Sequence, residues 1–321
     1  MPQISVVIPS YRAAATLPRV LAALEPQVAG QTREVVVVDS SGDGSIDDLA
    51  FRFPWARFVA LDERTLPGRA RNLGAQLTQG ELLAFLDADV IPAPGCLDAL
   101  ERRLVPGVEL AVAAVCNGTP RSPTGTAGYL LEFLDFAPSR RVQPPHGAGC
   151  AMLVRRTAFD RVDGFPEDLW PGEDTVFSLR LSAARPLTFE QSARVTHLNR
   201  RGLRSFLAHQ RALGASFVAA AGQARLPGHR FAARPLVFVA GPARLGSFAL
   251  RLWRHPREAP AAVLVWPWLL LGLAAWSVGA VDASGGRGRR ADGRRALVER
   301  PWPPAPPCWR ADSRSSSSRC R

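Results

Sequence analysis

The sequence predicts an α/β fold, a mostly parallel sheet flanked by helices, followed by C-terminal membrane-associated helices and a disordered tail. Three observations carry this. The first half alternates short apolar runs with helix-like segments, the pattern of strands joined by helical crossovers. The runs are continuously apolar, as in Val35 to Val38, which implies sheet buried on both faces. Late in the chain the composition changes, first to a long charge-free apolar stretch and then to Gly, Arg, Pro and Ser. A chain of 321 residues is long enough to bury one sizeable core.

Taken in order, residues 4–10 (ISVVIPS) read as a first strand. Residues 15–27 read as a helix with Leu17, Val20, Leu21 and Leu24 on one face. Residues 34–45 are a β-branched run ending in a Gly/Ser/Asp turn, and 56–62 (ARFVALD) are a third strand. Residues 67–80 are a helix opened by Pro67-Gly68, and ELLAFLDAD is the fourth strand. Beyond it, 108–115 read as a strand and 126–136 as a helix. Residues 147–159 pass from strand to short helix; 173–184 and 202–221 are helical. Residues 259–281 carry no charge and three tryptophans, and are long enough to cross a hydrocarbon core of about 30 Å. Residues 235–253, interrupted by Arg244, suit an interfacial helix. Residues 282–321 cannot bury enough apolar surface to offset their ordering entropy and are expected to be disordered. The expected organisation is a catalytic domain over 1–200 (halves 1–100 and 101–200), a helical, partly interfacial region over 201–258, a transmembrane helix over 259–281, and the tail.

The net charge is +12, and every one of the 40 basic residues is arginine. The tail lacks the aromatic interleaving expected of nucleic-acid binding, so no nucleic-acid partner is expected. Five cysteines without a CxxC pair suggest neither a disulfide framework nor a zinc site. The opening MPQISVVIPSY enters a strand directly, so the N-terminal part is expected in the cytoplasm.

Asp87 and Asp89 close the fourth strand. On a strand, residues two apart share a face, and ligands of open α/β sheets bind beyond the carboxyl ends of the strands. Two converging carboxylates suit a hard divalent cation that also holds phosphate oxygens. Asp39 likewise ends a strand, before a small-residue turn; it is either a turn cap or an acceptor for a base or ribose. Arg69, Arg71 and Asn72 open a helix, where phosphate or ribose oxygens would be favoured if these residues are not simply a solvated face. Glu173-Asp174 open another helix after Trp170-Pro171-Gly172. A flat ring beside a carboxylate suits a sugar and a general base, and Asp174 could deprotonate an acceptor hydroxyl.

In order and spacing, SVVIPSYRAAATLPRVLAAL, EVVVVDSSGDGS, PGRARNLGA, LLAFLDADV, GAGCAMLVRRTAFDRVDGF and GEDTVFSLRL resemble the motifs of family 2 glycosyltransferases, over about residues 3–200. The resemblance implies a GT-A fold and inverting transfer from a nucleotide-diphospho-sugar to a lipid-linked or saccharide acceptor at the cytoplasmic face of the membrane. It places Pro9, Tyr11 and Asp39 in the nucleotide pocket, with Arg69, Arg71, Asn72 and Asp87 toward the donor. Asp87, Asp89 and His197 fall at the divalent metal (Mg or Mn), Asp174 with Glu173 at the catalytic base, and Trp170 and Gly149 at the acceptor. Arg12 stands where the family commonly has Asn, and Asp39-Ser40-Ser41-Gly42-Asp43 replaces the usual DDGS. The processive Q-x-x-R-W signature is absent, HQRAL at 209–213 being its nearest counterpart, so one sugar per event is expected. A nucleotidyltransferase, the main competing class, usually relies on a lysine beside the phosphates, and this chain has none. The E-D motif beside tryptophan would also be unexplained in such an enzyme. A second rival, a non-catalytic membrane-attached protein with a basic nucleic-acid-binding tail, is disfavoured by the tail's lack of aromatic interleaving.

Overall fold

A computed structural model describes residues 3–138, 144–183, 187–223 and 228–285. The strands are β1 (Ile4–Ser10), β2 (Arg33–Asp39), β3 (Arg57–Ala60), β4 (Leu82–Leu86), β5 (Val90–Pro92), β6 (Leu110–Asn117), β7 (Ala151–Arg155) and β8 (Thr188–His197). The helices are α1 (Leu17–Val28), α2 (Ser45–Arg52), α3 (Pro67–Gln76), α4 (Cys96–Glu101), α5 (Pro123–Phe133) and α6 (Arg156–Arg161). Then follow α7 (Glu173–Ser182), α8 (Leu203–Ala221), α9 (Val237–Trp253), α10 (Ala259–Leu264) and α11 (Trp266–Ser284).

All eight strands form one sheet in the order β3-β2-β1-β4-β7-β6-β8-β5. The β3-β2-β1-β4 half is parallel, as the unbroken apolar runs imply, and every residue of β4 is buried. The second half is mixed. β7 runs antiparallel to β4 and β6, β8 parallel to β6, and β5 antiparallel to β8. β8 is absent from the sequence-based element list because Glu190, Gln191, Ser192 and Arg194 break its apolar pattern. Between Ala113↔Glu190 and Ala114↔Arg194 its register shifts, so that three residues of β8 bulge out. α2 also went unpredicted: it follows the Gly42–Gly44 turn and is too polar to show a core stripe.

Two expectations are corrected here. β4 ends at Leu86, so Asp87 and Asp89 lie in the turn to β5, closed by the Val90 N–H on the Asp87 carbonyl (3.1 Å), and not on one face of a strand. The apolar run over 259–281 is not one transmembrane helix. It breaks at Val265 into α10 and α11, and no helix among the described residues is long and apolar enough to cross a membrane. One stripe of α11 (Leu269, Gly272, Leu273, Trp276, Gly279, Ala280) is buried against neighbouring helices of the same chain. Residues 282–284, expected in the tail, complete α11; the rest of the predicted tail, from 286 on, lies outside the described residues.

α11 packs most closely on α8, main chain against main chain. A Cβ on Gly214 would meet the Trp276 carbonyl oxygen at 1.8 Å, and one on Gly279 the Arg211 carbonyl oxygen at 1.9 Å. Neither backbone can yield without the helices separating. Gly214→Ala and Gly279→Ala are each expected to destabilise the protein by about 1–3 kcal/mol despite the better helix propensity of alanine. Urea unfolding read by circular dichroism measures this; unchanged or raised midpoints would refute the packing.

Candidate active site

Beyond the carboxyl ends of β1 and β4 lies a cavity of about 980 Å³. Pro9 and Tyr11 at the end of β1, the Asp87–Asp89 turn, Trp170, and Glu173-Asp174 at the start of α7 all line it. Arg12 and Arg64 flank Tyr11, their guanidinium carbons 5.3 and 4.9 Å from the ring centroid. The phenol ring is thus an aromatic surface backed by cations, suited to a base next to phosphates.

Arg71, in α3, is only 2 % exposed. Its Nη2 donates to Asp87 Oδ1 and its Nη1 to Glu173 Oε1, each at 2.6 Å. One guanidinium therefore ties the β4–β5 turn to the start of α7. Burial opposes its charge, and Asp87, Glu173 and Asp174 together outweigh that, so its pKa rises. Glu173 is pushed up to about 7 by burial, in spite of the opposing pull of Arg71. Asp174 is set differently. Its Oδ2 accepts the Gly149 N–H (2.7 Å) and its Oδ1 the Thr175 N–H (2.7 Å) and Oγ1 (3.4 Å), which aims the carboxylate and leaves Oδ2 a lone pair. Gly149 is required there, since a Cβ would sit 2.7 Å from the Asp174 Cβ and 3.2 Å from Arg71 Nη2.

The metal candidates meet through backbone pairing. Val90↔His197 is a rung of the β5–β8 ladder, and the Leu198 N–H donates to the Asp89 carbonyl (2.9 Å). His197 Nε2 lies 3.7 Å from Asp89 Oδ1, and its buried Nδ1 has no hydrogen-bond partner. Burial, ahead of all other influences, pushes Asp89 up, with His197 opposing. Among the described residues no three His, Cys, Asp or Glu side chains gather closely enough to enclose a metal. An imidazole beside a carboxylate, with Asp87 two residues away, still fits a hard divalent ion that takes its remaining ligands from substrate oxygens.

The other candidates take different places in and around the cavity. Arg69 is exposed and does not line the cavity. Asn72 is buried and spends its amide on Phe165 N–H (2.9 Å), the Phe165 carbonyl (2.9 Å) and Glu167 (3.0 Å), fixing the 165–167 loop instead of meeting a ligand. Arg71 has both Nη groups committed to carboxylates, which makes it a positioning residue, not a ligand for phosphate. Glu173 borders the cavity but is 4 % exposed and held by Arg71. Asp39 is buried behind the lining residue Ser10, accepting from Ser10 Oγ (2.6 Å) and from Ser41 Oγ and N–H (both 2.9 Å). Trp170 lines the cavity 6.0 Å from the His209 ring. His209 Nε2 is 3.0 Å from Glu132 Oε2, and Gln210 donates to Glu132 Oε1 (2.7 Å). Sequence reasoning missed Arg64, Arg200 and Glu132, all of which line the cavity, because isolated residues of these types carry no spacing signal.

Arg71→Met would leave the buried Glu173 and the half-buried Asp87 without their counter-charge. It is expected to cost about 3–5 kcal/mol in urea unfolding and to abolish activity. Glu173→Gln keeps an acceptor for Arg71 and should fold. Because Glu173 ionises near 4.5 when unfolded and near 7 when folded, the unfolded chain releases its proton first. Wild-type stability from this group is therefore complete at low pH and lost as pH rises through that window. Glu173→Gln should gain on wild type from about pH 5 to about pH 7; parallel stability profiles would refute this.

Residues 5–163 match the model of the family described as Glycosyl transferase family 2. A pre-mycofactocin glycosyltransferase of Mycobacterium tuberculosis is 29% identical over 226 residues, covering 66% of this chain and 46% of that protein. A validoxylamine A glucosyltransferase of Streptomyces hygroscopicus subsp. jinggangensis is 30% identical over 221 residues, covering 57% and 52%. The chain thus spans about half the length of these curated relatives. Among solved structures, a mannosyltransferase of Pyrobaculum calidifontis in complex with GDP-Man and Mn2+ superposes with a TM-score of 0.60 at 22% identity, covering 88% of this chain and 87% of that one. This is a likeness of fold: the mixed α/β sheet of GT-A-type glycosyltransferases. The family model spans β1 to α6, with the E-D helix following it, and the region over residues 5–163 belongs to glycosyl transferase family 2.

Proposed function

We propose that this chain transfers one sugar per event, with inversion, from a nucleoside-diphospho-sugar to a hydroxyl of a lipid-linked or saccharide acceptor at the cytoplasmic face of the cell membrane. The observation that carries the reading is one cavity bordered by Tyr11, the Asp87–Asp89 turn and Asp174, with Arg71 tying that turn to Glu173, the residue before Asp174. The named ligands of the Pyrobaculum enzyme, GDP-Man and Mn2+, support the same class of donor and ion.

In this reading Tyr11 stacks the base, and Arg12 and Arg64 face the phosphates. Asp39 holds Ser10 and Ser41 in place beside them. Asp89, Asp87 and His197 would hold Mg2+ or Mn2+, which when bound would neutralise charge on the departing diphosphate. Arg200, an exposed arginine on the same cavity, adds positive charge on that side. Trp170 offers its face to the acceptor sugar. Asp174, aimed by the Gly149 and Thr175 N–H groups, takes the proton of the attacking hydroxyl as it displaces the diphosphate from the anomeric carbon.

The membrane contact in this proposal is a surface one. Phe238, Leu250, Trp253, Val263, Leu264 and Trp266 are exposed at 54–80 % on or beside α9–α11, with Arg254 and Arg257 exposed next to Trp253. An apolar face rimmed by tryptophan and arginine suits the headgroup boundary of an anionic bilayer.

Asp174→Asn is expected to lower kcat by about 10²–10⁴ while nucleotide binding is kept. A panel of nucleotide-sugars, assayed with and without a chelator, tests donor and metal together. NMR of the product's anomeric proton should show the configuration opposite to the donor's. Full activity in Asp174→Asn, or retained configuration, would remove the mechanism. In flotation assays Trp253→Ala with Trp266→Ala should leave vesicles containing phosphatidylglycerol, on which the wild type floats; equal flotation would remove the surface contact.

A further inference from the structure

The cavity does not end at Trp170. It continues beneath the C-terminal helices, where Phe217, Phe231 and Trp276 line it on the apolar side. On the other side α9 presents a polar stripe at a three- and seven-residue spacing, Arg244, Ser247 and Arg251. This extension is no part of the donor site, and residues 237–285 lie outside the region matched by the family model.

Arg244 is the unusual member. Its guanidinium carbon sits 4.7 Å from the centroid of the Trp276 ring, and its Nη2 makes one long bond, to the Leu131 carbonyl at 3.3 Å. Its Nε is buried and has no partner. The nearest acids are already committed. Glu132 is held by His209 and Gln210, and Asp135 by Arg251 at 3.2 Å. No carboxylate of the described residues forms an ion pair with Arg244. Burial lowers its pKa to about 10, and the neighbouring Arg251 charge adds to that. The side chain as a whole is half-buried, and a guanidinium with an enclosed, unpartnered Nε and donors to spare is costly unless something anionic completes it. Leu131, its single backbone partner, adjoins Glu132, whose partner His209 faces Trp170, so the extension leads directly to the acceptor side of Asp174.

We propose that the acceptor is an acidic amphiphile: a phosphate or carboxylate received by Arg244, with Ser247 beside it, on an apolar stem that lies along Phe217, Phe231 and Trp276. The inference rests on the reading of the cavity as a sugar-transfer site and assigns the acceptor end of it. Arg251, neutralised by Asp135, shapes the entrance; Arg244 supplies the free charge.

The test is calorimetric titration of the full chain with decyl phosphate, decanoate, decanol and inorganic phosphate, each with the nucleotide-sugar donor titrated separately. Wild type should bind decyl phosphate or decanoate at least about tenfold more tightly than decanol, and tighter than inorganic phosphate. Preference between the two acids tells phosphate from carboxylate. Arg244→Gln should lose about tenfold on the acidic amphiphile only, with donor binding unchanged as proof of folding; Arg244→Lys should recover part of the loss. Trp276→Leu gives a second variant, weakening acid and alcohol alike. Equal binding of acid and alcohol by wild type, or full affinity in Arg244→Gln, overturns the inference. Inorganic phosphate binding as tightly as decyl phosphate also overturns it, because the stem then contributes nothing. Donor binding with no amphiphile binding sinks this inference and leaves the proposed transfer standing; loss of donor binding in wild type sinks the transfer itself.

Discussion

Everything chemical in this molecule depends on one guanidinium. Arg71 joins two acids that the chain separates widely, Asp87 at the end of the parallel half-sheet and Glu173 at the start of α7. The pairing has to be good, because a guanidinium buried with Glu173 repays its desolvation only with short, well-directed hydrogen bonds. Both contacts are 2.6 Å. Asp174 then inherits its place from Glu173 by covalent succession, and Gly149, wedged between Asp174 and Arg71, lets the three approach. Asp174 and Asp87 are therefore set relative to each other by one side chain whose two Nη groups are both held by carboxylates.

The parallel half of the fold was readable because β1, β2 and β4 are buried on both faces and so are written as unbroken Val, Ile and Leu runs. α1 and α3 were readable from Pro near their first turns and from a stripe or bounding glycines. β8 and α2 were not, since each mixes charge into its pattern and is fixed by tertiary pairing instead. The motif acids were legible as types and in order, yet their geometry was not. A D-x-D read as two positions on a strand is a turn, and Arg71 read as a ligand for phosphate is a buried clamp, because its partners stand 16 and 102 residues away in sequence.

The apolar run over 259–281 is instructive for the same reason. Hydropathy reports how much apolar surface a segment carries and is silent on what covers it. Here one stripe of α11 is covered by the chain's own helices, with Gly214 and Gly279 allowing main chains to touch, while Leu270, Leu271 and Val278 remain exposed. The outcome is a helical cap over the part of the cavity beyond Trp170. Trp276 belongs to both: it packs at a 48° tilt against Phe217 (5.3 Å between centroids) and supplies the face on which Arg244 rests.

The three-rung pairing of β5 with β8 places His197 opposite Val90, one residue past Asp89. That placement is counted out along β8, through the three-residue bulge after Glu190, before the strand reaches the ladder. The site is thus sensitive to arithmetic more than to identity. Exchanging a side chain in the bulge leaves the count intact. Adding or removing a single residue there would turn the strand over, bringing Thr196 or Leu198 to the position of the imidazole and directing it to the opposite face of the sheet. The bulge, with Ser192 exposed and Ala193 in the core, is in effect a spacer of fixed length, and related chains should vary at Ser192 in composition while holding its length constant.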